Sequence, residues 1–192
     1  MQVKTDLPVR TFKSPRKWRS WLARNHARSQ GIWLRFFKKG SGLVSIDRAQ
    51  VLDEALCHGW IDGQARKGDA KSWLQKYTPR RRNSLWSKRN TLHVARLIKA
   101  RKMSPRGLKE VKAAKADGRW ERAYDSPSAM QVPQDFIKEL SKGKRAKAFF
   151  EILNKTNLYS IAWRLQTAKT AETRARRMKA ISGMMAKGEK IG

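Results

Sequence analysis

Few residues in this sequence have the type and spacing that catalysis needs. Cys57 and His58 are adjacent, so on a helix they would point about 100° apart and could not form a thiolate–imidazole pair. His26 and His93 have no recognisable partner, and the 15 carboxylates form no D-x-D or E-x-x-H pattern. The glycine-containing run at 39–42 lacks the spacing of a phosphate-binding loop. We therefore expect no catalytic residue, metal site or cofactor, although an enzymatic role stays an open question.

One carboxylate could belong to a ligand pocket. Asp62 lies between Ile61 and Gly63 in a predicted strand, where alternation puts Trp60 on the same face. Such a carboxylate could bind an amine or act as a base. More often, an Asp between turn residues accepts backbone hydrogen bonds or pairs with an arginine, for which Arg80 is the expected partner.

A predicted helix places a polar amide within an apolar stripe. Trp86, Asn90, Val94 and Leu97 share one face by their i, i+4, i+8 and i+11 spacing. The Asn90 amide could fix helix packing or could line a pocket. The pocket candidates are therefore Trp60, Asp62, Arg80, Ser84, Trp86 and Asn90.

The net charge suggests a different kind of site. The chain has 45 Lys and Arg against 15 Asp and Glu, a formal net charge of +30. Such a surface attracts polyanions such as nucleic acid and releases counterions on binding them, without reading sequence. Alternatively, the cations only solvate helix faces, and salt dependence would separate the two interpretations. The polyanion-binding candidates are Arg80, Arg81, Arg82, Lys88 and Arg89, with Arg174, Arg176, Arg177 and Lys179 facing solvent on the last helix.

The same composition bears on partners and location. A net field of this sign repels cationic peptides, so we expect no direct complex with them. The single cysteine, the polar segment Met1–Phe12 and the lack of an 18-residue apolar run favour a cytoplasmic protein without a membrane span. The sequence predicts no particular oligomeric state.

The elements that position these residues predict an α+β fold. A first helix from Pro15 should end near Gly31, and a second should be capped by Ser45 and stopped by Gly59. Of the Ser/Thr-Pro pairs at 14–15, 78–79 and 104–105, two are expected to start helices. The inward stripe of the second helix is predicted as Ala49, Leu52, Ala55 and Leu56. Strands are predicted at Ile32–Phe37, Trp60–Arg66 and Lys71–Tyr77, giving the order α-β-α-β-β.

The chain after Pro79 is predicted to be helical. Helices are expected near 84–101, 105–117, 133–141, 144–154, 157–168 and 171–187, the last burying Ala171, Ala175, Met178, Ile181 and Met185. The proline-spaced stretch 125–133 looks like a linker. We therefore predict an α+β domain over 1–125 and a helical region over 126–192.

An ordered set of motifs runs along nearly the whole chain. It comprises W-R-S-W-L-A-R-N-H at 18–26, G-I-W-L at 31–34, G-W-I-D-G at 59–63, T-P-R-R-R-N-S-L-W-S-K-R-N at 78–90, G-R-W-E-R-A-Y-D at 118–125 and A-K-T-A-E-T-R-A-R-R at 168–177. In this succession the chain resembles the YdeI/OmpD-associated, or bacteriocin-protection, family. The resemblance implies an α+β fold, a stress-related role in resistance to bacteriocins and other antimicrobial peptides, and a C-terminal bacteriocin-protection region. It implies no catalytic residue.

Overall fold

The computed structural model describes residues 6–126 and 128–191. Residues 1–5 of the polar N-terminal segment, Pro127 of the predicted linker and Gly192 lie outside the described residues. The chain forms two compact units, which are Met1–Ser84 with Asn90–Glu121 and Leu85–Arg89 with Arg122–Gly192.

The first unit is built on a mixed four-stranded sheet, which confirms the α+β class. The elements are β1 (Val9–Arg10), α1 (Pro15–Asn25), β2 (Ile32–Phe37), α2 (Arg48–Cys57), β3 (Trp60–Lys67), β4 (Ser72–Pro79), α3 (Lys88–Lys99) and α4 (Pro105–Ala116). The first two residues of α3 belong to the second unit. The strand order is β1-β2-β4-β3, with β1 parallel to β2 and the other pairs antiparallel.

One face of the sheet carries the core of the first unit. Alternation along β2 directs Ile32, Leu34 and Phe36 to this face, where α1 and α2 cover them. Trp18 of α1 is fully buried and donates its indole N–H to the carbonyl of Val51 in α2, at 3.0 Å. The apolar stripes of both helices therefore meet on the sheet.

Two helix starts agree with the Ser-Pro signals and one capping prediction is wrong. Ser14 and Ser104 each accept a backbone N–H at the start of α1 and α4, whereas Thr78–Pro79 ends β4. Asp47, and not Ser45, caps α2, because the Ser45 hydroxyl accepts the Phe37 N–H at 3.1 Å. The Ser45 hydroxyl therefore bonds to the end of β2 and does not cap α2.

Three further predictions about the first unit are corrected. Strand β1 was not predicted, because two residues are too few to show a period. Helix α1 ends at Asn25 instead of near Gly31, and Ala49 of the predicted α2 stripe is exposed. Helix α3 begins only at Lys88, because the Trp86 carbonyl accepts the Tyr124 N–H at 2.9 Å and keeps that segment extended.

The second unit is a helical bundle with its own core. Its helices are α5 (Gln134–Leu140), α6 (Lys144–Glu151), α7 (Lys155–Gln166) and α8 (Ala171–Lys187), packed around Phe136, Leu140, Ile161, Leu165 and Met185. In α8, Ile181 and Met185 are buried and Met178 is half-buried. Ala171 and Ala175 are exposed, so the N-terminal part of the predicted inward stripe is wrong. Within the described residues, no helix combines the length and apolarity needed to cross a membrane.

Candidate functional site

The predicted carboxylate site is an ion pair between the sheet and α2. Asp62 lies opposite Tyr77 in the β3–β4 register, and its carboxylate is 3.6 Å from a guanidinium nitrogen of Arg48. The partner is therefore Arg48, at the start of α2, and not the expected Arg80. Trp60 shares the face of Asp62 but is only 1 % exposed, and its indole N–H donates to the His26 carbonyl.

A polar group without a partner lies next to this ion pair. The Tyr77 side chain is fully buried, and its hydroxyl has no hydrogen-bond partner among the described residues. Burial and, secondarily, the Asp62 carboxylate raise the pKa of Tyr77 well above its ordinary value. The hydroxyl is therefore neutral at physiological pH, and leaving it unpaired costs about 1–3 kcal/mol.

The other pocket candidates have mostly structural surroundings. Arg80 is buried and its backbone N–H donates to the Gly59 carbonyl at 2.9 Å. The Ser84 hydroxyl closes a turn by accepting the Arg81 N–H, also at 2.9 Å. The Asn90 residue is buried in the first unit. Trp86 is buried too, but it belongs to the second unit.

Two residues of catalytic type, His93 and Cys57, lie against or within α2. His93, predicted to lack a partner, places Nδ1 2.8 Å from the Asp53 carboxylate, which Arg96 also binds through both oxygens. Cys57 is buried, and desolvation, followed by the charges of Glu54 and Asp53, raises its pKa to about 11. Its thiolate is therefore scarce at neutral pH.

The basic candidates around the turn after β4 divide into buried, paired and exposed groups. Arg80 is buried, and Lys88 forms an ion pair with Asp125 at 2.7 Å. Arg81, Arg82 and Arg89 are exposed. This segment therefore offers three of its five predicted cations to a ligand.

Two of the four basic candidates on α8 are bound within the protein. Arg174 donates to both oxygens of Asp135, at 2.6 and 2.8 Å. Arg177 donates through Nη1 to the Arg164 carbonyl at 2.6 Å. These two guanidinium groups are half-buried and hydrogen-bonded within the protein, whereas Arg176 and Lys179 are exposed.

A basic cluster at one end of the sheet was missed by the sequence analysis. We call it the sheet-end cluster, and it consists of Arg35, Lys38, Lys39, Arg66, Lys67 and Lys71. The Lys38 backbone N–H donates to the Lys71 carbonyl at 2.9 Å, which joins the end of β2 to the β3–β4 hairpin. Asp69, in the same hairpin, pairs with Arg35 at 2.5 Å. The four lysines are exposed and belong to none of the ion pairs of the described residues.

An aromatic ring adjoins this cluster on the sheet face opposite α1 and α2. Arg66 places its guanidinium carbon 4.1 Å from the centre of the Trp33 ring, and the Lys76 ammonium is 6.0 Å away. Both distances are within the range of cation–π attraction. Alternation in I-W-L-R-F-F could have assigned Trp33 and Arg35 to this face. Their proximity to the hairpin follows only from the β2–β4 pairing, which the sequence does not specify.

The fold and surface define an α+β protein with a basic sheet end and a separate helical unit. The chain belongs to the family described as Domain of unknown function (DUF8412), whose model matches residues 10–110, more than half of the chain. A second family model, Bacteriocin-protection, YdeI or OmpD-Associated, matches residues 129–188, which confirms the family resemblance for this C-terminal region; of the motifs, the one at 168–177 lies within it. The searches of curated proteins and of solved structures each found no match.

Proposed function

We propose that this protein is a non-enzymatic, stress-associated protein of the cytoplasm that binds nucleic acid or another polyanion without sequence preference. The observation that carries the proposal is the sheet-end cluster, in which six cations surround the turn of the β3–β4 hairpin, where Asp69 pairs with Arg35. A free and buried Cys57 is compatible with a reducing compartment.

Charge counting supports a polyanionic partner. Even if each of the 15 carboxylates neutralised a different cation, 30 of the 45 Lys and Arg residues would remain. Phosphates of a nucleic acid can neutralise such an excess and release their counterions, which gives a favourable free energy that falls steeply with salt.

The form of the sheet end favours backbone contacts over base recognition. The lysines of the cluster extend from a strand end and a hairpin, so they can reach phosphates without a helix entering the major groove. Arg66 is held over Trp33, which presents a flat guanidinium beside the lysines. Such a surface binds by charge and shape and does not distinguish sequences.

Protection against bacteriocins, the role linked to the matched C-terminal family, would then be indirect. Cationic peptides share the sign of this surface, so we expect no complex with them at moderate salt. Isothermal titration calorimetry with a cationic antimicrobial peptide tests this point, and a micromolar complex would contradict it.

The proposal is tested by fluorescence anisotropy with labelled duplex DNA, single-stranded DNA and RNA at several salt concentrations, with heparin as competitor. We expect submicromolar binding near physiological salt. Reversing four charges by Lys38→Glu, Lys39→Glu, Lys67→Glu and Lys71→Glu should lower the slope of log affinity against log salt by up to about 3.5 units for duplex DNA.

A matched control reverses four exposed lysines on and around α3 and α4, namely Lys99, Lys102, Lys109 and Lys112. This variant has the same net charge as the sheet-end variant. An equal loss of slope in both variants would assign binding to the overall field instead of the sheet end. Weak wild-type binding that vanishes at physiological salt would contradict the proposed function itself.

A second candidate function, a small-molecule site in the first unit centred on Asp62 with Arg80 and Asn90, has one observation in its favour. The buried Tyr77 hydroxyl lacks a partner within the described residues, and a polar ligand or a water could supply one. A thermal-shift screen tests it, because a ligand at 100 times its Kd adds about 2.7 kcal/mol of stability. Stabilisation that survives Asp62→Asn unchanged would remove Asp62 from the site.

A further inference from the structure

A cleft lies between α7 and α8 of the second unit. It has a volume of about 290 Å³ and is lined by Trp163, Arg164, Arg177, Ala180, Ile181 and Met184. Ile181 is buried at its base, and Trp163 is steadied by an edge-on contact with Tyr124, with ring centres 6.3 Å apart. The cleft therefore joins a flat aromatic wall to an aliphatic base, close to the smallest size that suits a small organic ligand.

The guanidinium of Arg177 is fixed at this cleft by its own hydrogen bonds. Its Nη1 donates to the Arg164 carbonyl at 2.6 Å and lies 3.4 Å from the Thr167 hydroxyl, at the C-terminal end of α7. Within the described part of the chain, Nε and Nη2 have no protein partner and no carboxylate neutralises the group. Arg174, one turn earlier in α8, differs because its guanidinium forms an ion pair with Asp135.

We propose that this cleft binds a small amphiphilic anion, meaning a carboxylate, sulfonate or phosphate ester attached to a flat apolar group. Arg177 would bind the anionic oxygens through its remaining donors, because charge-assisted guanidinium–oxyanion bonds are strong and directional. The apolar group would lie against Trp163 and Met184, with Ile181 beneath it. This inference does not depend on the proposed polyanion binding, which involves the first unit.

The size of the cleft favours a small amphiphilic anion over a nucleic-acid strand as its ligand. A volume of about 290 Å³ admits one fused aromatic ring system with its acidic group. A basic surface alone would bind anions by charge and would not distinguish an apolar anion from inorganic phosphate. Preference for the apolar anion is therefore the property that identifies the cleft.

The test uses the full-length protein and the fluorescent probe anilinonaphthalene sulfonate, with naphthoate and inorganic phosphate as competitors at moderate salt. We expect one saturable site, displaced by naphthoate and not by equimolar phosphate. Arg177→Gln should raise the Kd of the probe at least about tenfold, because it removes a charge-assisted hydrogen bond. The neighbouring exposed Arg176→Gln has the same charge change and should alter the Kd less than twofold.

Arg177 also holds the end of α7, so its substitution could weaken binding by disturbing the fold. A second variant therefore tests the cleft with Arg177 in place. Ala180→Phe keeps all charges and fills the cleft from the α8 side, so it too should raise the Kd at least about tenfold while the circular dichroism spectrum is unchanged. Equal effects of Arg176→Gln and Arg177→Gln, or unaltered probe binding in Ala180→Phe, would overturn the proposal. DNA binding in the same variants should be unchanged, which separates this outcome from a failure of the proposed function.

Discussion

Basic residues at the sheet end and on α8 have different surroundings in the structure. Lys38, Lys39, Lys67 and Lys71 are exposed and belong to no ion pair of the described residues. On α8, Arg174 is bound by Asp135 and Arg177 by a backbone carbonyl. Partners inside the fold, and not the density of positive charge, therefore decide which cations remain for a polyanion and which stabilise the protein.

The largest effect is expected where a bound cation is removed from a buried carboxylate. Arg19 donates to both oxygens of Glu54, a residue only 8 % exposed in α2. Arg19→Met should leave that charge unpaired and lower the free energy of unfolding by about 2 kcal/mol. Urea unfolding measures this value, and DNA affinity serves as the control because only one of many cations is lost. A stability change below roughly 0.5 kcal/mol, the usual scatter of surface substitutions, would contradict this assignment.

A crossed pair of variants tests the comparison directly. Arg174→Gln with Arg177→Gln should lower stability by roughly 1 kcal/mol, since it removes an ion pair and a helix-end hydrogen bond, and should change DNA affinity less than about threefold. Lys38→Gln with Lys71→Gln should do the reverse, weakening DNA binding by roughly tenfold with stability unchanged. Thermal unfolding and anisotropy are measured on both proteins. Similar losses of DNA affinity in the two variants would contradict the assignment of DNA binding to the sheet end and not to α8.

The core offers the opposite case, a polar group without a partner. Tyr77→Phe removes the buried hydroxyl and should raise the free energy of unfolding by about 1 kcal/mol, the lower end of the cost of leaving it unpaired, because the substitution breaks no hydrogen bond of the described residues. In a chain of this length the Tm would rise by roughly 2–4 °C. A lower Tm would show that the hydroxyl is satisfied in solution, which would favour the second candidate site at Asp62.

The sequence predicted three of the four described strands, β2, β3 and β4, because the residue patterns of these strands are local. Ile32–Phe37 was predicted to the residue, since its short apolar and aromatic run is bounded by glycine on one side and lysines on the other. The cap of α2 was missed because Ser45 and Asp47 are both good capping residues, and only the Phe37 N–H decides between them.

The sites were harder to predict than the elements because they depend on pairings distant in sequence. Arg48 meets Asp62 only after α2 is laid on the sheet, and Arg174 meets Asp135 only in the folded bundle. The sheet-end cluster likewise requires the β2–β4 register, which brings Lys38 to Lys71. A sequence supplies the charges, but their partners are a property of the tertiary fold.

The smallest expected effect is the pH dependence that comes from the ion pair of Arg174 with Asp135. Hydrogen bonds from Arg174 hold the pKa of Asp135 below its ordinary value, so this carboxylate binds a proton more readily in the unfolded chain. Its contribution to stability is therefore complete above about pH 4, the ordinary pKa of Asp, and is lost as the pH falls through the lower pKa of the folded state. Because Asp135 is about half exposed, the contribution should be only a few tenths of a kcal/mol.

This pH dependence can be measured against a matched variant. Asp135→Asn should remove part of the acid destabilisation seen in thermal melts below about pH 4, whereas Lys38→Gln with Lys71→Gln should leave its shape unchanged, since these substitutions add no titratable carboxylate and neither lysine belongs to an ion pair of the described residues. Asp125, whose pKa is lowered by Lys88 and Gln166, supplies a remaining acid-sensitive contribution in the same unit. A melt profile in Asp135→Asn identical to that of the wild type would mean that the Arg174 pair adds no stability, and that α8 offers its cations as freely as the sheet end does.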